Sequence, residues 1–274
     1  MGSSSSDWAG SRGDKWVHKL AAMEAMLAPI DEPLLAALDL SSARCIADLG
    51  CGGGATTRAL AARSPNATCI HGIDISAANI EYARAQGHDQ RLVFYRRNLE
   101  STDPAAVAYD RLCSRFGTMF FEAPRDTFSA LASWLTPEGR FAFAVWAPAV
   151  WNRWMQIVRE AVATEVTLPA SKRDAPGQFR YARADLFVEL LEDSGFTGVS
   201  FQTWTGRLPL GGGVNAREAA AFALSAFSVG GLLGDDAEKR SRVLCRLGTA
   251  LSPFEDGGVV MVDAAAHIVT GRRS

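Results

Sequence analysis

The sequence predicts an α/β fold built on a Rossmann-like, mostly parallel sheet, and two observations carry that prediction. The stretch Ile46-Ala47-Asp48-Leu49-Gly50-Cys51-Gly52-Gly53-Gly54-Ala55-Thr56-Thr57 passes from a short buried strand through a glycine-dense turn into a helix. Apolar strand-like runs then alternate with helical patterns as far as Trp146, as right-handed βαβ units in one parallel sheet require.

The elements follow in order. Apolar residues at helical spacing (Trp16, Val17, Leu20, Met23, Met26, Leu27) predict a helix over residues 14–27, closed by Pro29, with a second helix over 32–40. Strand one covers 44–49, and the helix after the glycine turn covers 56–63, capped by Thr56 or Thr57. Strand two, 67–75, ends in Asp74 and leads to a helix over 77–85. Strand three is 91–97, ending at Asn98-Leu99, and strand four is 111–114, preceded by the turn-like Tyr109-Asp110. A helix over 126–135 and the turn Pro137-Glu138-Gly139 precede strand five, 140–146. Beyond Trp146 the alternation breaks: a helix over 151–164, an aperiodic stretch over 168–181, a helix over 183–193, a strand over 199–208, helices over 216–227 and 235–251, and a last strand over 259–269. With no internal repeat and no sharp linker, residues 14–274 read as one elaborated domain behind a flexible tail, 1–13. Its parts are N-terminal helices over 14–40, a ligand-binding core over 41–146, and a cap insertion with the sheet's completion over 147–274.

Composition narrows the function. A formal charge of −2 over 274 residues supplies no basic footprint for nucleic acid. The cysteines number five, lack a C-x-x-C pair, and place Cys45, Cys69 and Cys113 in predicted strands, so neither a disulfide framework nor a zinc site is expected. No apolar run reaches the length of a membrane helix, and residues 1–12 show no signal-peptide core, so a cytoplasmic protein, monomer or homodimer, is expected.

The glycine turn sits where open α/β sheets bind nucleotide-like ligands, and its glycines, Gly50, Gly52 and Gly54, permit positive φ and close backbone approach. Two ligands compete for it. Gly50, Gly52 and Ala55 fit the G-x-G-x-x-A dinucleotide fingerprint, which keeps an NAD(P)-dependent oxidoreductase open as an alternative. Asp48 argues the other way, because a carboxylate beside the turn would repel a pyrophosphate and attract a sulfonium and an ammonium. No Tyr-x-x-x-Lys pair supports the oxidoreductase. The D-x-G-x-G-x-G pattern resembles the first motif of the class I S-adenosylmethionine (SAM)-dependent methyltransferases. Tyr109 to Phe121, with Pro137-Glu138-Gly139-Arg140-Phe141-Ala142-Phe143, resembles the branch of ubiquinone/menaquinone-type and other small-molecule methyltransferases.

That resemblance covers residues 44–146 most specifically, and it implies the rest of the fold and the site. The fold would be the seven-stranded methyltransferase sheet, its last two strands an antiparallel pair at the edge, with an N-terminal helical lid and a helical insertion after strand five. Asp74, about twenty residues past the turn, would accept the ribose hydroxyls. Ile75 would lie on the adenine face, Asn98 would receive its amino group and Leu99 would wall it; Ser114 and Arg115 would face the methionine part. Trp16 would belong to the lid, and His18, on the same helix, is the one histidine to test as a general base. The absence of a [DNS]-P-P-[YF] loop at Ser114-Arg115-Phe116-Gly117 argues against base or glutamine amide acceptors. Trp146, Trp151, Trp154, Phe179, Tyr181 and Trp204 cluster after strand five and favour a flat or apolar small acceptor, although such aromatics also fill cores. A SAM-binding protein without catalysis is the non-enzyme alternative.

Overall fold

The structure is a computed structural model that describes residues 19–101, 108–169 and 175–274. Trp16 and His18 lie outside the described residues. The strands are β1 (Cys45–Leu49), β2 (Cys69–Asp74), β3 (Leu92–Arg96), β4 (Tyr109–Arg115), β5 (Leu135–Trp146), β6 (Phe196–Pro209), β7 (Glu255–Asp256) and β8 (Val259–Arg273). The α-helices are α1 (Leu20–Leu27), α2 (Asp31–Ala36), α3 (Ala55–Arg63), α4 (Ala77–Ala85), α5 (Pro124–Trp134), α6 (Arg153–Ala163), α7 (Ala184–Asp193), α8 (Ala216–Ala226) and α9 (Ala237–Leu251).

The sheet runs β3-β2-β1-β4-β5-β8-β6, with the two-residue β7 pairing only β8. The first five strands are parallel, whereas β8 is antiparallel to both β5 and β6. The expected edge pair is thus present. β1 and β4 are buried along nearly their whole length, as strands covered on both faces must be, while β6 alternates and exposes most of one side as the outer strand.

Two local expectations give way. Tyr109 and Asp110 belong to β4 rather than to a turn, and the reason is hydrogen bonding. The Asp110 carboxylate accepts the backbone N–H of Arg44 (2.9 Å) and of Cys45 (3.1 Å), tying the start of β4 to the start of β1. The next residue, Arg111, is buried and donates to the carbonyls of Leu38 and Asp39. Helix α3 is not capped by a threonine. Its N-cap is Gly54, and Thr56 and Thr57 lie within the first turn, where their hydroxyls donate to Asp31 (2.9 Å) and Asp48 (2.6 Å). Among the described helices, those with a side-chain cap use a residue placed just before the helix: Ser76, Asn215 and Asp236.

Candidate cofactor and acceptor cavity

The carboxyl ends of β1, β2, β3 and β4 open into one cavity, walled by α1 and by Phe227 after α8. Its floor is the glycine turn. Gly52 has φ +54°, and a Cβ built there would meet no protein atom within 4 Å, so this backbone faces open space. Gly50 serves a different purpose. An added Cβ would lie 2.8 Å from the Cα of Gly117, because the turn after β1 packs directly on the end of β4. Gly54 does not line the cavity, and a Cβ there would press on Phe94.

Carboxylates surround that floor. Asp48 is buried at the end of β1 and accepts the Thr57 hydroxyl; burial pushes its pKa up to about 7. Asp74 ends β2 and holds the turn in place: one oxygen accepts Gly52 N–H at 2.9 Å, the other accepts Ser76 N–H at 2.8 Å. Burial raises Asp74 too, against the lowering effect of those two bonds. Glu24 reaches in from α1, and Asp31 from the start of α2; burial raises both, opposed at Glu24 by its bond from Ala55 N–H and at Asp31 by Arg115. Glu24 accepts the N–H of Ala55 at 3.3 Å, so a carboxylate already occupies the N-terminus of α3. In a dinucleotide site that helix end receives phosphate.

The remaining expected residues divide. Thr56, Ile75, Asn98, Leu99 and Arg115 line the cavity with Asp48, Gly50, Gly52 and Asp74. Arg115 does so with its charge already engaged, in a largely buried ion pair with Asp31 at 2.8 Å. Asn98 accepts Glu100 N–H at 3.0 Å. Ser114 is a correction: it is fully buried, donates to Leu49 O at 2.7 Å and does not line the cavity. Its side chain points to the wrong side because successive strand residues alternate faces. No histidine lines the cavity among the described residues.

The same cavity carries an aromatic wall. Phe116 stacks on Trp146 with ring centroids 4.2 Å apart and planes 9° off parallel. Trp154 meets Trp146 edge-on at 5.6 Å and Phe227 at 5.0 Å. Of the aromatic cluster expected after strand five, only Trp146 and Trp154 reach the cavity. Trp151 is exposed, and Tyr181 stacks on Phe187 in the core. Phe116 also has φ +65°, a left-handed conformation costly for a bulky side chain. Sequence reasoning missed Glu24, Asp31, Asn79 and Phe116, which all belong to the site or to its bonding. Only Phe116-Gly117 at a strand end carried a local signal.

Residues 46–139 match the family model described as "Methyltransferase domain". That match spans about a third of the chain and makes this segment similar to methyltransferase domains. The methyltransferase match supports S-adenosyl-L-methionine as the cofactor. Among curated relatives, the chain is 30% identical to a trans-aconitate 2-methyltransferase of Escherichia coli over 162 residues, covering 59% of this chain and 60% of that one. It is 30% identical to a malonyl-[acyl-carrier protein] O-methyltransferase of Halalkalibacterium halodurans over 109 residues, covering 38% and 40%. The chain thus spans less than two thirds of the length of these relatives. Human N-acetylserotonin methyltransferase, solved with SAM, superposes with a TM-score of 0.54 at 13% identity, over 96% of this chain and 57% of that one. That likeness is one of fold. No described helix is long and apolar enough to cross a membrane.

Proposed function

We propose that the chain binds SAM along the carboxylate-lined turn and transfers its methyl group to a small apolar or aromatic acceptor held at the Phe116–Trp146 end. One observation supports this most: the cavity joins a glycine floor ringed by buried acids to an aromatic wall, and a carboxylate holds the helix end that a phosphate would need. A cationic ligand answers buried acids whose ionisation burial opposes. A pyrophosphate would add charge of the same sign, so the oxidoreductase reading loses its support.

The residues fit the cofactor. Asp74 accepts Ser76 N–H and the Asn79 amide on one oxygen and Gly52 N–H on the other, whose remaining lone pair can accept a ribose hydroxyl. Buried Asn79 Oδ1 has no partner in the protein and lines the same cavity. Ile75 and Leu99 supply apolar walls for a base. When bound, SAM supplies an electrophilic methyl on a sulfonium, displaced in line with sulfur as the leaving group. The protein's task is then to hold the acceptor at attack distance and exclude water, effects worth up to about 7–11 kcal/mol. Trp146, Trp154 and Phe227 do this by enclosing a flat molecule. The Trp154 indole N–H, buried without a partner, is a donor available to an acceptor oxygen. With no histidine lining the described cavity, His18 is the candidate base, and an acceptor acidic enough to ionise in water would need none.

The test is incubation with methyl-labelled SAM and a panel of phenols, quinols, amines and carboxylic acids. Label transfer to an aromatic or apolar member supports the reading. Bound SAM with no transfer to any class would leave a binding protein and reject the catalytic reading.

A further inference from the structure

At the opposite, amino-terminal end of the same strands lies a second cluster with a different chemistry. Cys45 opens β1 and Cys69 opens β2, and the two are direct partners across the parallel pair. His71 follows two residues later, on the same face as Cys69. The two Sγ atoms and a ring nitrogen of His71 all lie within 4.8 Å of one another. Cys69 Sγ is 3.1 Å from His71 Nε2. The other ring nitrogen, Nδ1, shares a 2.9 Å hydrogen bond with the hydroxyl of Tyr109 at the start of β4. With Nδ1–H donating to Tyr109, the Nε2 lone pair faces the sulfurs.

We propose that Cys45, Cys69 and His71 bind a thiophilic divalent metal ion of the zinc type. Two sulfurs and an imidazole are a zinc donor set, and tetrahedral bonds of ~2.3 Å to sulfur and ~2.0 Å to nitrogen set neighbouring donors roughly 3.5–3.8 Å apart. The cluster is already close to that spacing. Tyr109 supplies the outer hydrogen bond that fixes tautomer and ring orientation in metal-bound histidines. Edge-on Tyr95 holds the ring from another side, 5.0 Å between centroids. Both cysteines are half-buried, so an ion has a path in.

The charges balance. The groups facing the cluster are Asp110, which carries the Arg44 ion pair at 3.8 Å, and Arg97 near the imidazole. Metal binding exchanges two thiol protons for one divalent ion, leaving the three-ligand centre neutral, with water in the fourth position. The C-x-x-C spacing rule misses such a site because its ligands come from two strands 24 residues apart in sequence but adjacent in the sheet.

Cobalt(II) is the probe, titrated into reduced, chelator-stripped full-length protein. A thiolate-to-cobalt charge-transfer band saturating at a single ion per chain, and bleached by zinc, is the expected result. Cys45→Ser and Cys69→Ser should each abolish or shift the band and weaken binding by about 100-fold or more, and Tyr109→Phe should weaken it roughly 10-fold while keeping the band. Cys245→Ser, at an exposed cysteine elsewhere, should change nothing. A second measurement needs no variant: zinc should protect Cys45 and Cys69, and not Cys245, from alkylation by N-ethylmaleimide. Absence of the band, its persistence in the Cys45→Ser, Cys69→Ser double variant, or equal alkylation with and without zinc overturns the proposal.

Discussion

The two ends of the cavity are built in opposite ways. The carboxylate end is polar, its groups fixed by hydrogen bonds to backbone and to threonines, and its glycine floor is one continuous stretch of chain after β1. The aromatic end is apolar and held by ring contacts among Phe116 just after β4, Trp146 of β5, Trp154 of α6 and Phe227 after α8. A cofactor common to a family needs fixed hydrogen-bond geometry, which a local motif can supply. An acceptor particular to one enzyme needs a shaped wall, which only the assembled fold supplies. On this account the two ends should be separable by mutation.

The largest separation is expected at Gly52. Its φ of +54° and the open space beside it mean that Gly52→Val both strains the turn and fills the cofactor's place. SAM affinity should fall by at least about two orders of magnitude in protein shown by circular dichroism to be folded. Normal affinity would detach the turn from the cofactor. Asp74→Ala should follow, with a loss of about 2–3 kcal/mol in SAM binding. Because Asp74 also holds the N–H groups of Gly52 and Ser76, thermal stability should drop as well. A variant that loses stability but keeps full SAM affinity would make Asp74 purely structural.

At the aromatic wall, Trp154→Ala should raise the acceptor KM by roughly 10-fold or more and leave the SAM dissociation constant within about threefold, since Trp154 contacts Trp146 and Phe227 and bonds to none of the carboxylates. Equal damage to both constants would mean that the two ends are one site.

The remaining effect is on stability rather than on binding, and it is a pH dependence. Burial raises Asp48 from 3.8 to about 7, so the folded protein without ligand holds that proton more tightly than the unfolded chain. The resulting penalty is absent below pH 3.8, grows as pH rises towards about 7, and is constant above. Buried His71 and His267, lowered by desolvation, act in the opposite direction. The measurement is therefore the stability difference between wild type and Asp48→Asn, followed by urea unfolding across that range. The variant should gain on the wild type as pH rises. A difference independent of pH would show that Asp48 ionises freely.

The same contrast explains what could be read from the sequence. The succession of strands and helices up to Trp146, the glycine turn and the place of Asp74 at the end of β2 were legible because each lies within one short segment whose pattern states its geometry. Ser114 was misplaced because a strand-end position does not say which face a side chain takes. Glu24 and Asp31 left no signal: they are ordinary acids on helices, and only packing carries them to α3 and Arg115. The aromatic wall was visible as composition, yet which rings line the cavity depends on contacts between segments far apart in the chain. Trp151 and Trp154 are three residues apart, and one is exposed while the other is buried against Trp146.

Calorimetric titration of the wild-type protein with SAM, its demethylated product and NADH tests the central claim most directly, because the carboxylate end is said to select a ligand without phosphate. Saturable binding of SAM and of the product, with no heat from NADH, is the predicted result. Binding of NADH with no binding of SAM would contradict it.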